Sequence, residues 1–487
     1  MTNEIFLTKA EQLKPVLHHQ AVLLAGNETP MKDGGECIFD FGRHCVGYLD
    51  IEFGTEGRHP DAPLLFSIQF AEIREELDYD PEEYHGWISR SWVQSETIHI
   101  DDLPCTCRLE RRYAFRYVRI RILSVSNNYA VTIRSLKADT VSSADDSQLM
   151  PASLNEKDRK LDEVSVRTLH ECMQEVFEDG PKRDRRLWLG DLRLEALTDY
   201  VTYRNYDLVK RCLYLFAGST LEGGRLSNNI FLYPQPKCDD QTMFDYTLFF
   251  INTLWDYYCA SRDEETLREL EPVCTRQALL LKTCFDENHL LDTEKAGNVF
   301  IDWNLRLDKQ AAGQGVYIYG LSDLVKIRRQ LGLPAEEFER EIQLKKQAVL
   351  RLYDESKGVF VSGPSRQVSY MSQIWIILAG AVSPRLGASV LEHIEKMPEA
   401  EGMVSPYAVH HYIQALIDTG QKEKAYEKMH AYWDGMIEKG ADTFWELYDP
   451  KDPLASPYGG LIVHSFCHAW SCTPSYFLRT YFRNRES

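Results

Sequence analysis

The chain has no long apolar run, no basic tract and no cysteine pair at metal-binding spacing. Its richest hydrophobic stretch, Ile374 to Val382, is about half the ~20 residues that a membrane span requires. With 74 acidic against 55 basic residues the formal charge is −19. Such a surface repels nucleic acid and anionic membranes, so neither is expected as a partner. The opening MTNEIFLTKAEQLKP lacks the basic and apolar regions of a secretory signal, which predicts a cytoplasmic location. Twelve cysteines are scattered, several within helical patterns; Cys105 and Cys107 form a CxC, but no CxxC occurs. Reduced, mostly buried thiols follow from that distribution. No glycine-rich phosphate loop and no metal ligand set is found, so neither metal nor cofactor is expected.

Aromatic residues are plentiful: 26 Tyr, 21 Phe and 9 Trp make up 11% of the 487 residues. They suit a large core, and they equally suit a protein that stacks rings on sugar faces.

Two regimes divide the chain. Residues 1–148 read as β, with short alternating stretches such as Tyr48 to Phe53, Leu64 to Phe70, Tyr117 to Leu123 and Ala130 to Leu136. This is the pattern of a β-sandwich. Over 149–487 the period becomes 3.6 and stays there, predicting about a dozen helices, among them 157–178, 191–204, 458–470 and 474–484. No repeat of fixed period supports an open solenoid. Short links alternate with long ones, and the long ones hold the unusual residues. A closed (α/α)6 toroid, with those loops gathered at one end, is therefore the expected second domain.

Two loop segments have compositions that packing alone does not explain. One is Glu178-Asp-Gly-Pro-Lys-Arg-Asp-Arg-Arg-Leu-Trp-Leu-Gly-Asp191, the other Gly440-Ala-Asp-Thr-Phe-Trp-Glu-Leu-Tyr-Asp449. Glycoside hydrolysis needs a carboxylic acid to protonate the leaving oxygen and a carboxylate to activate water or to attack. A carboxyl among aromatics is desolvated and keeps its proton; one beside arginines ionises more readily. Read by residue type alone, both segments also admit plainer roles: a solvated loop with a helix cap at Asp191, and an acid satisfied beside a packed Trp445.

The first segment resembles the signature of the α-L-rhamnosidases of glycoside hydrolase family 78, Asp-Cys-Pro-x-Arg-Asp-Glu-Arg-x-x-Trp-x-Gly-Asp. Asp179, Pro181, Trp188, Gly190 and Asp191 match, over an interval one residue shorter. Aligned from the Trp-x-Gly-Asp end, Asp184 falls on the family's general acid, with Asp191 as an alternative proton donor. Asp179, Arg183, Trp188 and Asp191 would then contact or orient the sugar. The second segment resembles the family's Thr-x-Trp-Glu, which makes Glu446 the general base and places Trp445 beside it. Phe300-Ile-Asp-Trp303 is similar to a family loop, with Trp303 as a sugar platform. His464-Ser-Phe-Cys-His-Ala-Trp470 is similar to a histidine-containing family stretch that puts His464 near the site. His468 is read as structural, as are His410 and His411. Phe39 to Tyr48 and Tyr113 to Arg119 look like the sandwich that precedes the family's barrel, so the likeness runs from about 36 to 484.

The resemblance implies an inverting hydrolase that removes terminal α-L-rhamnosyl residues from small glycosides. Two other readings stay open: another α/α-barrel carbohydrate hydrolase, acting on unsaturated uronides or a different deoxysugar, and a sugar-binding relative without catalysis. A homodimer through exposed barrel or sandwich faces is compatible with the sequence, which carries no interface signal.

Overall fold

The computed structural model describes residues 2–58 and 63–483. The expected β-sandwich is present, built from β1 (His18–Met31), β2 (Glu36–Gly57), β3 (Leu64–Ala71), β4 (Ser95–Ile100), β5 (Cys105–Arg108), β6 (Tyr113–Ser124) and β7 (Tyr129–Ser142). All pairings are antiparallel, in the order β1-β7-β2-β6-β3-β4, with β5 on β2. β2 is long enough to serve both layers: Glu36–Gly47 pairs with β6 and Gly47–Gly57 with β7. The hand-over falls at Gly47, where a Cβ would lie 2.1 Å from the carbonyl oxygen of Asp139, so only glycine fits. Alternate side chains of the two layers, including Phe39, Ile51, Phe53, Phe66, Ile120 and Ile133, interdigitate as one core.

Ahead of the sandwich, where the sequence was read as β, lies helix α1 (Asn3–Gln12). Its buried Phe6 and Ala10 sit one turn apart and belong to the core of the helical domain, not of the sandwich. Phe6 stacks on Tyr214, and Arg211 donates to the carbonyl of Ala10.

The helical domain follows as α2 (Glu156–Cys172), α3 (Leu189–Asp199), α4 (Tyr206–Gly218), α5 (Phe244–Ser261), α6 (Glu264–Leu281), a single turn α7 (Thr293–Ala296), α8 (Gln310–Gln330), α9 (Glu336–Leu350), α10 (Tyr370–Leu378), α11 (Pro384–Ile394), α12 (Pro406–Asp418), α13 (Lys422–Glu438) and α14 (Pro474–Tyr481). The chain alternates between an outer and an inner ring. Inner α3 packs on α5, α5 on α8, α8 on α10 and α10 on α12. The turn Ala469–Ser471, which leads into α14, closes the ring against α12 and α3. The inner helices are buried nearly all round; α3 is buried along its whole length. Outer helices such as α6, α9 and α13 bury one stripe. Helices α2–α6 and α8–α14 therefore pair as six hairpins, the expected (α/α)6 toroid.

Inner-to-outer links are short, as at 262–263 and 419–421. The outer-to-inner links are long and all emerge at the N-terminal ends of the inner helices, on one face of the ring. The expected helix over 458–470 is absent. Gly459 adopts φ +77°, and the segment forms two short turns, Leu461–Val463 and Ala469–Ser471, separated by extended residues. The last expected helix ends at Tyr481, and its expected final residue, Asn484, lies outside the described residues.

Candidate active site

The two singled-out loops meet on that face. The early loop, between α2 and α3, folds around Asp179: Oδ2 accepts from the Asp184 N–H (3.0 Å) and Oδ1 from the Arg186 N–H (3.1 Å). One carboxylate thus shapes the loop that carries Asp184. The late loop is tied to the residues that follow it. Glu446 N–H donates to Ser465 O (3.0 Å), Trp470 Nε1 to Glu446 O (3.0 Å) and Ser471 Oγ to Trp445 O (2.5 Å). Ala469 N–H donates to Asp179 O (2.9 Å), which joins the two assemblies.

Between them stands Arg183. Its Nη1 is 3.0 Å from Asp184 Oδ1, its Nη2 donates to Glu446 Oε2, and its Nε donates to Val463 O (2.9 Å). The guanidinium also covers the ring of Tyr458, 3.8 Å from its centroid, while Tyr458 OH donates to Glu446 Oε1. Burial raises the Glu446 carboxyl above its usual range; Arg183 and the Tyr458 hydrogen bond oppose that shift and Asp184 adds to it. Asp191, in the first turn of α3, is pushed well above the ordinary carboxylate range by burial, then by Asp179 and Glu446. His468 stands 3.8 Å from Asp191 and 3.9 Å from Asp179, and burial followed by Arg183 holds it neutral.

These groups line a pocket of about 380 Å³, partly open to solvent, together with Trp188, Met243, Tyr246, Phe300, Trp303, Tyr458 and Trp470. Of the residues expected from the sequence, Asp179, Arg183, Asp184, Trp188, Asp191, Trp303 and Glu446 all reach it. Trp445 and His464 do not belong to the lining. Trp445 is buried edge-on against Phe466 and Tyr448. His464 packs on Phe466 and gives its carbonyl to Lys182 Nζ (2.6 Å). The resemblance of His464 to Trp470 to the family's histidine-containing stretch puts His464 near the site; in the extended segment it is His468, read as structural, that faces the pocket. Tyr458 and Trp470 were not singled out as site residues by any motif: in sequence, an aromatic on a pocket wall looks like one in a core.

The lining suits a polyol. Trp188 Nε1, Trp303 Nε1 and His468 Nδ1 are buried without a hydrogen-bond partner among the described residues. Buried donors of this kind are ordinarily satisfied, and sugar hydroxyls would satisfy them. Aromatic rings around them offer faces to the C–H side of a pyranose. Among the described residues no group of three or more His, Cys, Asp or Glu is arranged to hold a metal ion.

The sandwich takes part in the site from below. Lys182, next to Arg183, is buried and donates to Glu76 Oε2 (2.8 Å). Glu72 accepts from Phe466 N–H (2.6 Å) and bonds His44 Nε2 (3.1 Å), and lies 3.6 Å from Lys182 Nζ. Arg112, just ahead of β6, grips Glu178 with contacts of 2.6 and 2.8 Å.

Residues 9–140 match the sequence profile of the glycosyl hydrolase family 78 alpha-rhamnosidase N-terminal domain, and 153–482 that of the bacterial alpha-L-rhamnosidase 6 hairpin glycosidase domain. A search of curated proteins returns no match. Among solved structures, a rhamnosidase from Klebsiella oxytoca with rhamnose bound is 40% identical, with TM-score 0.93 and 99% of each chain covered. The family 78 rhamnosidase of Bacillus sp. GL1 shares the fold at 20% identity and TM-score 0.78, over 93% of this chain and 47% of its own. The alpha-L-rhamnosidase of Streptomyces avermitilis complexed with L-rhamnose does so at 16% and 0.71, over 96% and 44%. Profiles over both domains, a full-length relative and a carboxylate-lined pocket in a six-hairpin ring agree: the chain belongs to glycoside hydrolase family 78, the α-L-rhamnosidases.

Proposed function

We propose that the enzyme works with inversion, Asp184 protonating the leaving oxygen while Glu446 takes a proton from water on the opposite face of the sugar. The observation that carries this reading is the Arg183 guanidinium set between the two carboxyls. A guanidinium that bonds both carboxyls keeps them out of direct contact, in keeping with the wider, roughly 6.5–9.5 Å spacing of inverting enzymes. Exposure supports this division of roles. The Asp184 side chain is 16% exposed and Glu446 3%, so Asp184 lies toward the mouth where the leaving group departs. Glu446 sits deep, with a raised pKa that makes it a stronger base once ionised. Arg183 keeps it ionised, and each of its oxygens retains a lone pair for the nucleophilic water. Trp188, Trp303 and His468 would hold the sugar hydroxyls and Asp191 would orient it.

A second reading makes Asp191 the donor, because burial beside two other acids leaves it protonated. Rates of Asp184→Asn and Asp191→Asn on rhamnosides of differing leaving groups separate the two. Loss of the donor is felt most with poor leaving groups and least with activated aryl ones. A uronide-directed activity, which would use the basic cluster around Arg183, is tested by setting 4-nitrophenyl α-L-rhamnoside beside an unsaturated rhamnogalacturonan disaccharide.

A cytoplasmic site of action and small glycoside substrates complete the proposal. All twelve cysteines are free, and Cys172 and Cys467 share a thiol hydrogen bond at 3.9 Å rather than a disulfide, as suits a reducing compartment. No helix among the described residues is long and apolar enough to cross a membrane. We take the boundary between the two units at 148/149, with α1 serving the second.

A further inference from the structure

The connection between β3 and β4 is the longest in the sandwich, and part of it packs on the other domain. Its Tyr84 and Val93 form a cluster with Tyr458, Ile462 and Val463, against which Trp303 packs. Tyr84 OH donates to Tyr458 O (2.7 Å). At Gly86 the backbones touch: a Cβ there would lie 2.1 Å from the same Tyr458 carbonyl oxygen. The next residue is Trp87, whose Nε1 donates to Pro457 O (2.7 Å). Its ring centroid is 5.5 Å from that of Tyr458, which is in turn 5.5 Å from Trp303. Five residues on, Trp92 lies under Arg186, whose Nη1 is 4.0 Å from Asp184 Oδ2. This segment therefore borders the pocket mouth from Tyr458 round to the side of Asp184.

Trp87 is 68% exposed, although its indole nitrogen is fixed. A large ring held rigidly at a pocket mouth, with most of its surface in water, gains little from folding. It does present a flat apolar face at low entropic cost to whatever lies over the rim. Leu305, two residues past Trp303, is 84% exposed and adds apolar surface beside that wall. We propose that Trp87 is the platform of a leaving-group subsite, which the sandwich contributes to the active site, and that it recognises ring-bearing leaving groups, aryl or pyranosyl, by stacking. The assignment rests on the rhamnosidase reading of the pocket: rhamnose fills the interior, and what it is attached to must pass the rim beside Asp184.

The test is kcat/KM of the wild type and of Trp87→Ala on three substrates: 4-nitrophenyl α-L-rhamnoside, a rhamnosyl-glucose disaccharide and methyl α-L-rhamnoside. Comparing variant with wild type on each substrate cancels differences in leaving-group reactivity. We expect a fall of roughly three- to tenfold for the two ring-bearing substrates, the scale of one aromatic contact. The methyl glycoside and inhibition by free rhamnose should be unchanged, and Trp87→Phe should recover the preference. Equal losses on all three substrates, or no loss on any, overturn the subsite and leave the activity intact. A wild type that hydrolyses none of the three overturns both.

Discussion

Arg183 and Glu446, 263 residues apart in sequence, form a buried ion pair that joins the early loop to the late one, and the same guanidinium reaches Asp184. A single cation therefore sets the spacing of the two acids and stabilises the charge of the deeper one. The pair is shielded: the side chains are 4% and 3% exposed, so solvent screens it little.

Removing that cation should change the pH dependence in a defined direction. Glu446 acts only when ionised, so activity falls as pH drops through its pKa. Burial already raises that pKa and Arg183 lowers it. In Arg183→Met the opposing charge is gone, and the acid-side limb of the kcat/KM profile should move to higher pH. An unmoved limb would show that Arg183 does not govern the base. The same variant leaves a buried carboxylate unpaired, which should cost about 3–5 kcal/mol of stability in denaturant titration.

Glu446→Gln keeps the shape of the side chain and its contact with Tyr458 while removing the base. We expect kcat to fall about 10²- to 10⁴-fold, with rhamnose affinity by calorimetry changed only a few-fold. A parallel loss of affinity would make Glu446 a binding group instead.

Lys182 is a stability element as much as a neighbour of the chemistry. Its ammonium sits between Glu76 and the His464 carbonyl, with the side chain 1% exposed. Lys182→Met should destabilise the protein by about 3–5 kcal/mol, and adding Glu76→Gln should recover part of that loss, since the partners couple. Additive losses would mean that the pair is not a unit.

Much of this was legible in the sequence, and the gaps have physical causes. Alternation in stretches such as Leu64 to Phe70 marks a sheet with one buried face, and the long, unusual outer-to-inner loops mark the working end of a ring. The segments that carry Asp179, Arg183, Asp184 and Glu446 stand out because their mixtures of charged residues with Gly and Trp are a poor composition for a core, and the resemblance to the family's motifs points to the individual residues. Helix α1 escaped notice because only Phe6 and Ala10 of its ten residues are buried. The segment 458–470 is apolar enough to read as a helix. However, Gly459 turns the chain, and its backbone groups bond the loops around it: Ser465 O accepts from Glu446 N–H, and His468 N–H donates to Phe444 O (2.8 Å). His468, not the His464 that the resemblance points to, lines the pocket. Nor could the sequence show that His44, Glu72 and Glu76 of the sandwich lie beneath Lys182, since no local pattern encodes a contact more than a hundred residues away.

The central claim is that Asp184 and Glu446 act across a water-sized gap, and the stereochemistry of the first turnover tests it most directly. Proton NMR of a fresh digest of 4-nitrophenyl α-L-rhamnoside, recorded before mutarotation, identifies the anomer released. Direct attack by water predicts β-L-rhamnose first, with the α-anomer appearing only as the solution equilibrates. α-L-Rhamnose as the initial product would require two displacements and carboxyls about 5–5.5 Å apart, and would contradict the account.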